Sequence, residues 1–208
     1  MVNQTELPIS SKSVDAFYCS HVVEHLPEFA VQNLMREAFR CLEKGGVFRI
    51  STGPCADLDW QALLRTDKNW WFFNDAIDFK ESIEKGKDPM TIYDRWLYHI
   101  ATARSLYSDT PCNKKYSSAE IAALVIAHES NPQVLWNLLT NSLKFNKGSP
   151  GNHMSWWNYD KLSAHLIKAG FTTVRRSGYG QSDLLWMRDL EYFDQTYPQI
   201  SVYVEATK

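Results

Sequence analysis

Two imidazoles and a carboxylate fall within five residues at His21-Val22-Val23-Glu24-His25. Groups three and four positions apart meet on one side of a single helical turn. Three roles suit the set. An imidazole beside a carboxylate works as a general base near neutral pH, with His21 or His25 taking the proton. The same groups could ligate a divalent metal, with His153 as a fourth ligand. Alternatively, Glu24 and His25 hold the turn together through hydrogen bonds. His-x-x-Glu-His also matches an inverted zinc-protease motif, which needs one long helix through both histidines. Here an apolar run ends at Ser20 and Pro27 follows, which argues against that helix.

A second constellation is His153-Met154-Ser155-Trp156-Trp157-Asn158-Tyr159. Its aromatic faces could stack a sugar or a ring substrate. The competing reading is core packing. Trp70-Trp71-Phe72-Phe73 reads as core or lid, and His99, His128 and His165 fall on helical patterns as packing or surface residues.

The elements that would carry these groups follow from periodicity. Val14 to Ser20 is a short apolar run suited to a buried strand. Pro27 suits a helix start, and Val31, Leu34, Met35, Ala38, Phe39 and Leu42 then repeat at three- and four-residue steps. Lys44 and Gly45-Gly46 suit the helix exit, and Val47 to Ser51 reads as a second strand ended by Gly53-Pro54. Strand, helix and strand in so short a span predict a right-handed βαβ crossover. The His-x-x-Glu-His segment would then sit just past a parallel strand's carboxyl end, where α/β sheets place their sites.

From Cys55 to Pro150 the pattern is helical. Asp57 or Asp59 suits a cap for a helix with Trp60, Leu63 and Leu64, and Pro89 suits the opening of one running from Ile92 toward Tyr107. Ser117 or Ser118 suits the cap of a third, and Asn131-Pro132 opens a fourth. The α/β pattern then returns. Asn158 caps a helix ending at Gly170, Phe171–Val174 and Ile200–Ala206 read as strands, and 178–199 is a loop with one helical turn near Leu184–Met187. The expected organisation is an α/β core from 1–56 and 151–208, interrupted by a helical subdomain at 57–150.

Composition narrows the function. Of 208 residues, 22 are Lys or Arg and 24 are Asp or Glu, giving a formal charge of -2. No basic field exists to hold nucleic acid, and no apolar run approaches the roughly 20 residues of a spanning helix. The expectation is a soluble cytoplasmic protein with no nucleic-acid or membrane partner. Cys19, Cys41, Cys55 and Cys112 form no Cys-x-x-Cys pair, so a thiolate zinc site is not expected.

Ser13 to Gly53 resembles the fourth strand, following helix and fifth strand of class I S-adenosylmethionine-dependent methyltransferases. Ser13, Asp15, Glu24, His25, Arg40, Leu42, Gly45 and Gly46 fall on that family's pattern. Lys168-Ala169-Gly170-Phe171 is similar to its Ala-Gly-Phe entry to the penultimate strands, and Ser201 to Ala206 to its last strand. The resemblance implies a partial Rossmann-like sheet of strands four to seven, in a sheet ordered 3-2-1-4-5-7-6. It implies S-adenosylmethionine as cofactor, met by Ser20 and His21 at its methionine end. The acceptor would be a small molecule or glycan intermediate, facing His21, Glu24, His25 and His153. Some family members acting on vicinal hydroxyls bind metal with Glu-x-x-Glu-His here, and His21 stands where their first Glu would be.

The chain departs from the family ahead of Val14. Family members grip the cofactor through a Gly-x-Gly turn after the first strand, and three βα units need about 90 residues. Thirteen residues precede Val14, and all nine glycines lie at or after Gly45. The expectation is a chain lacking the cofactor-binding half, inactive alone. The rival expectation is a non-catalytic remnant that binds or regulates a partner. Either way the apolar strand 14–20 is expected to expose an edge that pairs with residues 1–13 folded back, a second copy or a partner subunit.

Overall fold

The computed structural model describes residues 6–67, 69–71 and 90–208. They form two compact units, one from Met1–Cys55 with Trp157–Lys208 and the other from Ala56–Trp156.

The first unit is α/β. Its chain runs β1 (Val14–Ser20), α1 (Glu28–Cys41), β2 (Leu42–Thr52), α6 (Tyr159–Ala169), β3 (Thr173–Ser177) and β4 (Val202–Thr207). The sheet order is β1-β2-β4-β3, with β1 and β2 parallel and β4 antiparallel to both its neighbours. This is the fourth-fifth-seventh-sixth order that the resemblance implies, so the sheet is a partial methyltransferase-type one. Parallel β1 and β2 require a crossover, and α1 supplies it. Its stripe of Val31, Met35 and Ala38 packs with Leu162 and Leu166 of α6 against Phe48, Ile50, Val204 and Ala206 on one sheet face. Each of the fully buried Val, Leu, Ile, Met and Phe side chains contributes about 1.5–3 kcal/mol.

Several boundaries differ from expectation: α1 already ends at Cys41, and β4 runs Val202–Thr207. Sequence reading begins β2 at Val47, whereas it begins at Leu42. Val14 pairs with Leu42 and Ala16 with Val47, so the residues between are looped out as an irregularity, with Gly45 at φ 82°. Lys208 closes this bulge, its N–H donating to Gly46 O and its carbonyl accepting from Gly45 N–H. Strand β3 lies later than Phe171–Val174 because Phe171 is drawn into the core beneath Phe39, at a ring distance of 5.2 Å.

Residues 12 and 13 donate their N–H groups to Arg40 O and Cys41 O, and Glu37 accepts from Leu7 N–H. The described part of the lead-in therefore follows the end of α1. The expected fold-back onto the edge of β1 is corrected for residues 6–13: the open carbonyls of the last helical turn capture them.

The opposite sheet face carries a charge in its centre. Arg49 on β2 is fully buried, donating to Asp194 (3.1 and 2.5 Å), Glu205 (3.0 Å), Ser177 Oγ (2.9 Å) and Gly178 O (2.8 Å). These bonds tie the 178–199 segment down over that face.

The second unit is helical, with α2 (Ala56–Arg65), α3 (Ile92–Ile100), α4 (Ser118–Ala127) and α5 (Pro132–Thr140). Trp60, Trp96, Trp136 and Trp156 form its core with Leu97, Ile121 and Leu135. Thr91 with Asp94 and Ser117 with Glu120 form reciprocal capping boxes. Asp59 does not cap α2. It lies buried inside the first turn and accepts from the indole N–H groups of Trp70 (2.7 Å) and Trp71 (2.9 Å). Leu106 and Tyr107 lie past the end of α3, which stops at Ile100. Phe72, Phe73 and Pro89 lie outside the described residues.

Candidate functional site

The site begins where β1 stops. His21 leaves the strand at φ 49°, a left-handed backbone that a residue with a Cβ adopts only under constraint. Its N–H donates to Ser51 O at 2.9 Å, which prolongs the ladder by one bond while the chain turns away. Val23–His25 then make a single 3-10 turn. That turn carries Glu24 back under the strand ends, where it is 2 % exposed.

Glu24 is the hub. Its Oε2 accepts from Thr52 Oγ1 at 2.8 Å, its Oε1 lies 3.1 Å from His21 Nδ1, and His25 Nε2 stands 4.0 Å away. The other His21 nitrogen, Nε2, lies 2.7 Å from Ser201 Oγ, just ahead of β4. Ser51 Oγ donates to Ser20 Oγ at 2.9 Å. Gly53 is required beside this ring, because a Cβ there would stand 2.9 Å from His21 Cε1.

Of the residues singled out by sequence, His21, Glu24 and His25 come together as one cluster, with Ser20 beside them. His21 spends both ring nitrogens on protein partners, which disfavours its service as a metal ligand. His153 belongs to the helical unit. There its N–H donates to Thr102 Oγ1 at 3.0 Å, its carbonyl accepts from Thr102 N–H, and its ring Nδ1 meets His99 O. Sequence reading missed Ser51, Thr52, Gly53 and Ser201. The Ser-Thr-Gly-Pro run ending β2 is a signal that could have marked the first three. Ser201 carries none, being 180 positions from its partner.

Cys19 sits in the same strand end and is not a reactive thiol. Burial, with the Glu24 charge adding to it, pushes it up to about 12.

Residues 2–50 match a family described as a methyltransferase domain. The N-terminal segment of this chain is therefore similar to the methyltransferase-domain family. The matched segment spans β1, α1 and most of β2, and includes His21, Glu24 and His25. No curated protein matches the chain. Among solved structures it is similar to a possible exported protein from Bordetella parapertussis (14% identity, 96% of this chain and 40% of that one, TM-score 0.38). It is also similar to a SAM-dependent methyltransferase, possible histamine N-methyltransferase, from Thermotoga maritima (12% identity, 97% and 59%, TM-score 0.37). A third is a SAM dependent methyltransferase from Archaeoglobus fulgidus (12% identity, 96% and 62%, TM-score 0.38). The chain thus spans 40% to 62% of the length of these structures.

The described residues do not by themselves fit S-adenosylmethionine. Of the two residues that the methyltransferase resemblance places at its methionine end, Ser20 is hydrogen-bonded to Ser51 and His21 to Ser201, with the Glu24 carboxylate 3.1 Å from the other His21 nitrogen. The one Gly-x-Gly in the described residues, Gly178-Tyr179-Gly180, is turned inward: Gly178 O accepts from Arg49, and Gly180 N–H donates to Asp194 at 3.0 Å. No helix among the described residues is long and apolar enough to cross a membrane.

Proposed function

We propose that this chain is the acceptor-facing part of an S-adenosylmethionine-dependent methyltransferase acting on a small molecule or glycan intermediate, with the nucleoside held by groups beyond those described. One observation carries the reading. The His21–Glu24–His25 cluster lies in the methyltransferase segment, at the carboxyl ends of two parallel strands, where α/β sheets take their ligands. His25 is the most open of the three, with 24% of its side chain exposed. It would take the acceptor's proton, and the Glu24 carboxylate would stabilise the imidazolium. Glu24 is held for that purpose by Thr52. His153 would join the acceptor side only through the placement of the helical unit.

Two measurements test this. Isothermal titration of the whole chain with S-adenosylmethionine should show no tight binding; micromolar binding would overturn the assignment. Ring resonances of His25 should move when a set of small glycans and hydroxylated or amine fragments is titrated in. A set that leaves them unmoved removes the acceptor role.

A second reading is a non-catalytic methyltransferase relative that binds a partner. It is favoured by the internal hydrogen bonding of Ser20 and His21, and by β1, which among the described residues pairs with β2 alone. A second copy would pair along Val14–Ser20. Light scattering should then report a dimer, and a monomer at high concentration ends this reading.

A further inference from the structure

Two residues with left-handed backbones meet where β1 ends. His21 has φ 49° and Tyr197 φ 40°, and their rings stand 6.1 Å apart, tilted by 55°. We propose that Tyr197 and His21 are the two walls of a subsite for a neutral aromatic or heteroaromatic ring, carried by the small molecule that accepts the methyl group. The acceptor's part in this rests on the methyltransferase reading; the ring site itself is read from the geometry of these residues.

A bulky side chain is a genuine outlier at positive φ, and such strain persists only where the surroundings hold it. Tyr197 is held from both sides. Asp194, earlier in the same segment, is tied to the buried Arg49 at 3.1 and 2.5 Å. On the other side the Ser201 hydroxyl donates to Tyr197 O at 2.8 Å, and Ile200 N–H donates to the same carbonyl at 3.1 Å. Ser201 Oγ also lies 2.7 Å from His21 Nε2, so one short side chain touches both walls. Gly53 gives this seat its room: a Cβ there would stand 2.9 Å from His21 Cε1 and 3.4 Å from Ser201 Oγ.

Exposure separates a ring kept for packing from a ring kept for contact. The His21 side chain is 12% exposed, whereas Tyr197 is 58% exposed. In the same segment Phe193 does pack, edge-on to Tyr18 at 5.0 Å. A turn that needed only its backbone shape would be made at lower cost by Asn or Gly at position 197. Here the backbone is strained to present outward a ring that stabilises the fold little by burial.

The ligand class follows from the walls. Aromatic rings attract in offset-stacked and edge-to-face arrangements, so an incoming ring can stack on Tyr197 and meet the His21 ring at an angle. The carboxylate beside His21, that of Glu24, is 3% exposed and presents no open charge to a cation, which favours a neutral ring over an ammonium group.

The test is NMR titration of the whole chain with indole, and with cyclohexanol as the saturated control. The ring resonances of Tyr197 and His21 should move together with indole and stay in place with cyclohexanol. Tyr197→Phe should keep indole binding, and Tyr197→Asn should weaken it about two- to tenfold, the worth of one aromatic pair. Asparagine tolerates the left-handed backbone, so the melting temperature of Tyr197→Asn should hold or rise. A lower melting temperature would show a packing ring and overturn the proposal. So would a Tyr197 resonance that indole leaves unmoved, an equal response to cyclohexanol, or full affinity in Tyr197→Asn. The two readings fail separately. Movement of Tyr197 with His25 silent to every fragment supports the ring site while removing the acceptor role of His25, and the reverse result removes the ring site alone.

Discussion

Arg49 and Glu205 are register partners on β2 and β4, and their side chains meet at 3.0 Å with no more than 1% exposed. Asp194 reaches the same guanidinium from the 178–199 segment, and Gly180 N–H and Tyr18 Oη complete its bonding. One arginine thereby serves two carboxylates inside the protein. Glu205 passes the charge balance outward through Arg175, which bonds its Oε2 at 2.5 Å. Burying these ions is costly, and the arrangement is tolerable only because nearly every lone pair and N–H is matched.

Arg49→Met should therefore destabilise the α/β unit by about 3–5 kcal/mol, because Asp194 would be left buried without a cation and Glu205 with Arg175 alone. Urea unfolding checks this. A loss below about 1 kcal/mol would show that the two acids neutralise or reach water without cost.

Asp59 predicts a pH dependence of the helical unit. Burial raises its carboxyl from 3.8 to about 7, partly opposed by hydrogen bonds from Trp71 and Trp70. Its folded value lies above its unfolded one, so the folded state binds the extra proton between them. The stabilisation is complete below about 3.8 and is lost as pH rises through about 7. Tryptophan fluorescence during urea unfolding should give a lower midpoint at pH 8 than at pH 5, and Asp59→Asn should flatten that difference.

Gly53→Ala should push the His21 ring aside, since the new methyl would stand 2.9 Å from Cε1. The overpacking cost is about 1–3 kcal/mol. The His21 Cε1–H resonance should shift with it. An unshifted resonance would mean the ring has room that the present packing denies it.

Ser117→Ala removes one half of a capping box on α4, where Ser117 Oγ accepts from Glu120 N–H at 3.3 Å. The expected loss is about 1 kcal/mol, measured as a lower melting temperature. Glu120 still accepts from the residue 117 N–H and from Lys114, so Glu120→Ala in the same background should lower the melting temperature further.

The βαβ crossover was legible because its signals are local. An apolar run, a three-four stripe and a glycine exit can each be read within a few residues of themselves. The capping residues Ser117 and Asn158 were legible for the same reason. Each uses only a side-chain oxygen that accepts from the N–H three residues on. The start of β2 at Leu42 was not, because the looped residues are set by Lys208, at the far end of the chain. Asp59 shares with Asp57 the local pattern of a cap, because an aspartate at a helix start ordinarily is one. Its partners, the indoles of Trp70 and Trp71, arrive only after the helix has ended.

For the site, the amino-acid order alone determined that His21, Glu24 and His25 would cluster after a strand, since one turn brings them together. It could not determine the use made of them. Insertion of β4 beside β2 carries Ser201 to His21 across 180 positions, and the covering segment turns Arg49 from a surface cation into a buried hub. Both outcomes depend on which distant strands pair and which sheet face is covered, and that is decided by burial and register over the whole unit, which no local pattern encodes.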